Sequence, residues 1–249
     1  MSQAIAFQSF HRGTGTSFLT ANVAALLAAQ GQRVCVIDAD IQTPALHDLF
    51  GLEADDIGHS LNDYLLGLCS LEQTARSITA RLGAPVSGEV FLISSSLDAR
   101  QLAFAQYEGY DLDTLRPDLD ALAQTLKLDK VLIDTHSGLS EDTLLIIALV
   151  DILAVVLRPN QRDYQGTGVT LDLARKLAVP NILLIVNDAP PLFDFVAIKK
   201  QVEQAYDAKV VSVLPHADEV SALEKGKLVV LHEPYLALTE ALRLVAKAF

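Results

Sequence analysis

Only two cysteines, Cys35 and Cys69, occur in 249 residues. They cannot build a disulfide framework, and their spacing fits no metal motif, so a reducing cytoplasm is the expected setting. No uninterrupted apolar run reaches the ~18 residues that a membrane-spanning helix needs. The opening MSQAIAFQSFHRG has no charged segment ahead of its short apolar stretch, so no secretory signal is expected. Internal repeats, low-complexity tracts and linkers rich in proline, glycine or serine are missing too. Positive charge is scarce: 19 Lys+Arg face 31 Asp+Glu, a net charge of −12. Residues 1–150 hold 8 Lys+Arg against 19 Asp+Glu, a balance of −11, whereas 151–249 hold 11 against 12. So acidic a body argues against a protein that coats nucleic acid. It leaves open a local basic patch, for which Lys199, Lys200, Lys209, Lys225 and Lys227 are available.

Apolar residues, by contrast, make up 51% of the chain and charged ones 20%. That is ample for a large core and excludes intrinsic disorder. Strand and helix patterns alternate from end to end. Buried strands are predicted at Ala4–Ser9, Arg33–Ile37, Val90–Ser94, Lys130–Asp134, Leu153–Leu157, Ile182–Asn187 and Val210–Leu214. A helix is predicted from Ser17 to Gln30, stopped by Gly31, and the last runs over Leu236–Phe249. Residues 54–129 read as helical pieces with one strand. This alternation predicts a doubly wound α/β fold, a mostly parallel sheet with helices on both faces in three layers, formed by a single domain over residues 1–249.

Between the first strand and first helix stands Ser9-Phe10-His11-Arg12-Gly13-Thr14-Gly15-Thr16-Ser17-Phe18. A turn there aims backbone N–H groups and the positive end of the helix dipole at the crevice. Gly13 and Gly15 let the backbone wrap an anion closely, and Ser17 can place a hydroxyl on a magnesium ion. A turn without a ligand has the same glycine pattern. A dinucleotide fingerprint is the poorer fit, because its third glycine position is filled by Phe18, too bulky for close helix–strand packing.

Together with four further segments, this loop resembles the deviant Walker A ATPases of the ParA/MinD type. Their loop reads Lys-Gly-Gly-x-Gly-Lys-Thr/Ser, against His11-Arg12-Gly13-Thr14-Gly15-Thr16-Ser17 here. The acidic pair Asp38 and Asp40 ends the second strand, followed by Gln42 and Pro44. The Walker B strand is matched by Val131–Asp134, with Thr135-His136-Ser137-Gly138-Leu139 after it. A strand ending in Asn187 and the Val213–Val220 stretch around Pro215 complete the set, in the family's order.

The resemblance implies an ATP/ADP- and Mg²⁺-binding ATPase of the bacterial cytoplasm that positions a cargo such as DNA, a division site, a motility structure or a protein body. It implies that His11, Arg12, Gly13, Thr14, Gly15, Thr16, Ser17, Phe18, Asn187 and Pro215 bind the nucleotide. Ser17, Asp38 and Asp134 would serve the metal, and Asp40 would orient the attacking water. Asp134 also reads as a strand-end carboxylate capping its own loop. The partners implied are a second copy of the chain and a regulatory or anchoring protein, with non-specific DNA open through Lys199 and Lys200. The final helix reads as a core helix and not as an added membrane anchor.

Two departures bear on catalysis. The family's signature lysine is His11 here, and the general P-loop lysine is Thr16. A charge-assisted contact contributes about 1.5–3 kcal/mol, or about ten- to a hundredfold in affinity, so impaired hydrolysis is expected. Arg12 stands where the family has glycine, and reads either as a replacement cation or as a solvated loop arginine. The alternative function is a non-hydrolysing scaffold that docks partner proteins.

Overall fold

The computed structural model describes residues 2–98 and 115–249. Part of the irregular 54–129 stretch, namely 99–114, lies outside these residues. Among the described residues eight strands form one sheet: β1 (Gln3–Gln8), β2 (Arg33–Ala39), β3 (Arg76–Ser77), β4 (Glu89–Ile93), β5 (Lys130–Thr135), β6 (Ile152–Leu157), β7 (Asn181–Ala189) and β8 (Lys209–Pro215). Their order is β3-β4-β2-β5-β1-β6-β7-β8. Every pairing is parallel except that of β3 with β4. The doubly wound, mostly parallel sheet expected from the sequence is therefore found. The reading of residues 54–129 contained one strand, β4; the edge strand β3 was missed because two residues carry no period.

The described helices are α1 (Thr16–Ala29), α2 (Leu46–Leu49), α3 (Ala54–Ile57), α4 (Leu61–Leu65), α5 (Leu71–Thr74), α6 (Leu115–Thr125), α7 (Glu141–Leu149), α8 (Gln161–Lys176), α9 (Phe195–Tyr206), α10 (Val229–His232) and α11 (Ala237–Ala246). They sort by the two-residue period of the strands. Ile5, Phe7, Val34, Val36 and Leu132 face α1, α10 and α11, whereas Ala6, Cys35, Ile37, Val131 and Ile133 face α6 to α9. The same parity puts Asp38 and Asp134 on the α1 face, and the pairing of β2 with β5 sets them opposite one another.

Helix α1 is buried along most of its length, as its apolar circumference demands. The last helix, α11, lays Leu238, Leu242 and Val245 into the same layer, and Phe249 meets Phe7 edge to face at 5.6 Å. Among the described residues no helix is long and apolar enough to cross a membrane.

Candidate functional site

The turn joining β1 to α1 is built on two left-handed glycines, Gly13 at φ 75° and Gly15 at φ 96°. Gly15 takes the capping position of α1, and no side chain caps the helix. The first-turn amides of Thr16, Ser17 and Phe18 therefore lack partners within the helix and point into the crevice. A Cβ on Gly15 would fall 2.4 Å from the Asn187 amide nitrogen. That amide donates to the Thr14 carbonyl at 2.8 Å. The end of β7 thus braces the loop, and only glycine fits between them.

Neighbouring turns are stitched to this one. The Gln8 side chain donates to the Gly138 carbonyl and accepts from the Thr135 hydroxyl, while the Gly138 amide donates to the Ser9 carbonyl at 3.0 Å. A cleft of about 220 Å³ opens here, bordered by Arg12, Gly13, Thr16, Ser17, Asp40 and Ser137 among others. Phe18 also borders it, half-buried against the α1-side core.

Two carboxylates lie buried behind the residues that line it. Asp134 is 1% exposed, and neither of its oxygens has a hydrogen bond of full geometry. Burial pushes its pKa well above the ordinary carboxyl range. The charges of Asp38 and Asp40 add to the rise, against a smaller lowering by the facing Ser17 and Thr16 hydroxyls. Asp38 is fully buried, and its Oδ2 accepts from the Ala45 and Leu46 amides, both at 3.0 Å. Its Oδ1 has no partner. Burial raises this pKa as well, beyond what the two amides offset. A dehydrated, uncompensated carboxylate pair is costly unless a cation joins it.

Asp40 stands just beyond β2 at the rim, held by the Thr43 amide at 3.0 Å and hydroxyl at 2.9 Å. Its Oδ1 also meets His136 Nδ1 at 2.9 Å. His136 Nε2 in turn lies 3.5 Å from Arg12, which reaches Gln42 Oε1 at the same distance.

Several sequence-picked residues lie apart from this cluster. The His11 ring is turned onto α8, with Nδ1 3.2 Å from Asp163 Oδ1 and Phe10 packed on its edge. Arg158 holds the other oxygen of Asp163 at 3.2 Å. Thr14 is buried, its hydroxyl spent on the His11 carbonyl. Pro215 ends β8, one strand beyond Asn187. There His216 bridges Asp188 at 2.6 Å and Asp218 at 3.1 Å, and both carboxylates raise its pKa. Lys199 and Lys200 lie on α9, remote in sequence from the loop.

The sequence reading did not pick out Thr43, Gln8 or Asp163. Asp163 carried one local signal, its place three residues after Asn160, whose side chain caps α8 through the Asp163 amide; Gln8 and Thr43 had none.

A family model, the CobQ/CobB/MinD/ParA nucleotide binding domain, matches residues 5–229. The chain belongs to that family. An uncharacterised ATP-binding protein of Methanocaldococcus jannaschii is 26% identical over 249 residues, covering 99% of this chain and 88% of its own. Among solved structures, the MinC:MinD cell division protein complex of Aquifex aeolicus matches with a TM-score of 0.81 at 20% identity, over 99% of this chain and 95% of that one. The septum site-determining protein MinD of Pyrococcus horikoshii, complexed with Mg-ADP, matches at 0.79 and 22%, over 100% and 96%. At these identities the structures establish the fold, that of the MinD/ParA P-loop proteins.

Proposed function

We propose that residues 1–249 act as one nucleotide-binding unit that takes ATP or ADP with Mg²⁺ and uses the difference between them to position a cellular cargo through a partner protein. The observation that carries this reading is Asp134: both oxygens buried, neither in a hydrogen bond of full geometry, facing the Ser17 and Thr16 hydroxyls at the start of α1. These groups fit a magnesium ion held by the Ser17 hydroxyl, Asp134 and the free oxygen of Asp38. Among the described residues no three His, Cys, Asp or Glu side chains form a ready cage, which agrees with a cation that completes its shell on phosphate oxygens and water. When bound, the ion supplies positive charge to the phosphates. The loop amides grip the phosphate chain, Asn187 and Pro215 border the base, and Asp40 orients a water molecule. The Mg-ADP bound by the Pyrococcus protein supports this assignment.

Turnover is proposed to be slow. Neither His11 nor Thr16 supplies the charge that lysines at these positions would place on the phosphates. The same observation favours a second reading, a scaffold of the same fold that docks a protein partner without hydrolysis; the MinC partner in the Aquifex complex sets the precedent. Contact with DNA through Lys199 and Lys200 is a further part of the proposal, as is a bacterial cytoplasmic location.

Equilibrium binding of ATP and ADP with Mg²⁺, with hydrolysis followed in the same sample, separates these readings. The expected result is saturable binding with turnover below the common enzyme range of about 1–10³ s⁻¹. Thr16→Lys should raise affinity before it raises turnover, since ground-state phosphates already carry the charge that lysine neutralises. Turnover within that range would overturn the slow-hydrolysis reading, and binding without any turnover would favour the scaffold.

A further inference from the structure

We propose that Arg12, aligned by His136, is the residue that distinguishes a terminal γ-phosphate from its absence. The inference rests on the nucleotide reading above and deepens it.

Topology decides which end of a nucleotide Arg12 would meet. In the sheet, β7 and β8 lie on one side of β1, and β5 and β2 on the other. Asn187 and Pro215 belong to the β7–β8 side, where Asn187 braces the loop at Thr14. A nucleotide with its base on that side runs its phosphates across the N-terminus of α1 towards β5 and β2. The side chains waiting there are Arg12, Asp40 and His136. The last two come from the turns after β2 and β5.

The state of Arg12 fits a ligand-seeking group. Its two side-chain contacts, with Gln42 Oε1 and His136 Nε2, are both 3.5 Å long and both to acceptors without formal charge. No carboxylate stands within ion-pair distance of it among the described residues. Contacts of that length sit at the outer limit of hydrogen bonding, so little holds the guanidinium back from a phosphate. A planar fork of donors matches phosphate oxygens better than a point charge does. The His11 ring is turned away, with Nδ1 3.2 Å from Asp163 Oδ1, and Thr16 is uncharged, leaving Arg12, among the described residues, as the cation bordering the cleft.

His136 acts on Arg12 and not on the phosphate, so its role is positioning. Asp40 accepts at Oδ1, so Nδ1 carries the proton and Nε2 presents its lone pair to Arg12. Thr43 fixes Asp40 from the other side. The run Thr43–Asp40–His136–Arg12 therefore sets where the guanidinium waits. Arg12 is exposed, and these two contacts bias its resting direction without tying it down.

Isothermal titration with Mg-AMPPNP and with Mg-ADP tests this without relying on turnover. Arg12→Ala should weaken AMPPNP binding about ten- to a hundredfold, the range of one charge-assisted contact, and leave ADP binding unchanged. Arg12→Lys should recover part of the loss. His136→Ala should weaken AMPPNP alone, by a smaller factor, and add nothing in the Arg12→Ala background, because its effect passes through Arg12. Unaltered AMPPNP binding by Arg12→Ala, or equal losses for both nucleotides, overturns the role of Arg12 and leaves the nucleotide reading standing. If the unmutated chain binds neither nucleotide, the nucleotide reading fails, and this inference with it.

Discussion

Asp38 and Asp134 face each other across β2 and β5, both dehydrated and both short of partners. Charging them costs the empty fold stability, which is common where a site is built for a ligand and not for the core. The sign of the resulting pH dependence follows from proton binding. An unfolded carboxyl titrates near 3.8, and burial lifts Asp38 to about 7 in the fold. The native state thus holds the extra proton, so this contribution to stability is full below the unfolded value and is lost as pH rises through the folded one. The nucleotide-free protein should lose more melting temperature between those two pH values than Asp38→Asn, which keeps an acceptor for the Ala45 and Leu46 amides; parallel curves would refute the cause. At this scale the sequence placed Asp38 and Asp134 at the carboxyl ends of strands, where β2 and β5 carry them. It could not show that His11 turns onto Asp163 or that His136 meets Asp40. Those contacts join residues 152 and 96 apart in sequence, and packing alone decides them.

At the scale of elements, the parallel strands were legible because burial on both faces leaves continuous apolar runs. Their observed ends fall within two residues of the predicted ones. The helices of four or five residues between β2 and β4 were not, since one turn cannot display a 3.6-residue period. The seating of α8 against the β1–α1 loop was also invisible. It depends on Gly166, where a Cβ would lie 2.4 Å from ring atoms of Phe10. Overpacking of this kind costs about 1–3 kcal/mol. Gly166→Ala should therefore lower the unfolding free energy, measured in urea, by that amount and with it the midpoint, and weaken nucleotide binding, because Phe10 is one residue from His11 and two from Arg12. An unchanged midpoint would mean that the loop and α8 separate freely.

For the whole molecule, one eight-stranded sheet brings the ends of β1, β2, β5 and β7 to a single edge, and the proposed chemistry draws on all four. The order of the motifs along the chain was enough to anticipate this. The sequence also flagged Arg12 as a replacement cation, but did not show that His136 stands between Arg12 and Asp40. Assembly belongs to this scale. The first lysine of the ParA/MinD-type loop is replaced by His11, whose ring is turned towards Asp163 of its own chain and away from the cleft. We therefore expect a two-fold dimer whose stability depends little on nucleotide. Light scattering should give the same mass with and without Mg-ATP, and a monomer that pairs only on adding ATP would show an intact switch. The central claim, that the buried Asp134 awaits a cation brought by a nucleotide, is tested most directly by thermal melting of the unmutated chain and Asp134→Asn, each with and without Mg-ATP. Without ligand, Asp134→Asn should melt no lower, since no bound cation is lost and the cost of charging a buried carboxyl is removed. With Mg-ATP at about a hundred times its Kd, the unmutated chain should gain about 2.7 kcal/mol and overtake the variant. An unmutated chain that melts below Asp134→Asn in both conditions, unmoved by Mg-ATP, would contradict the account.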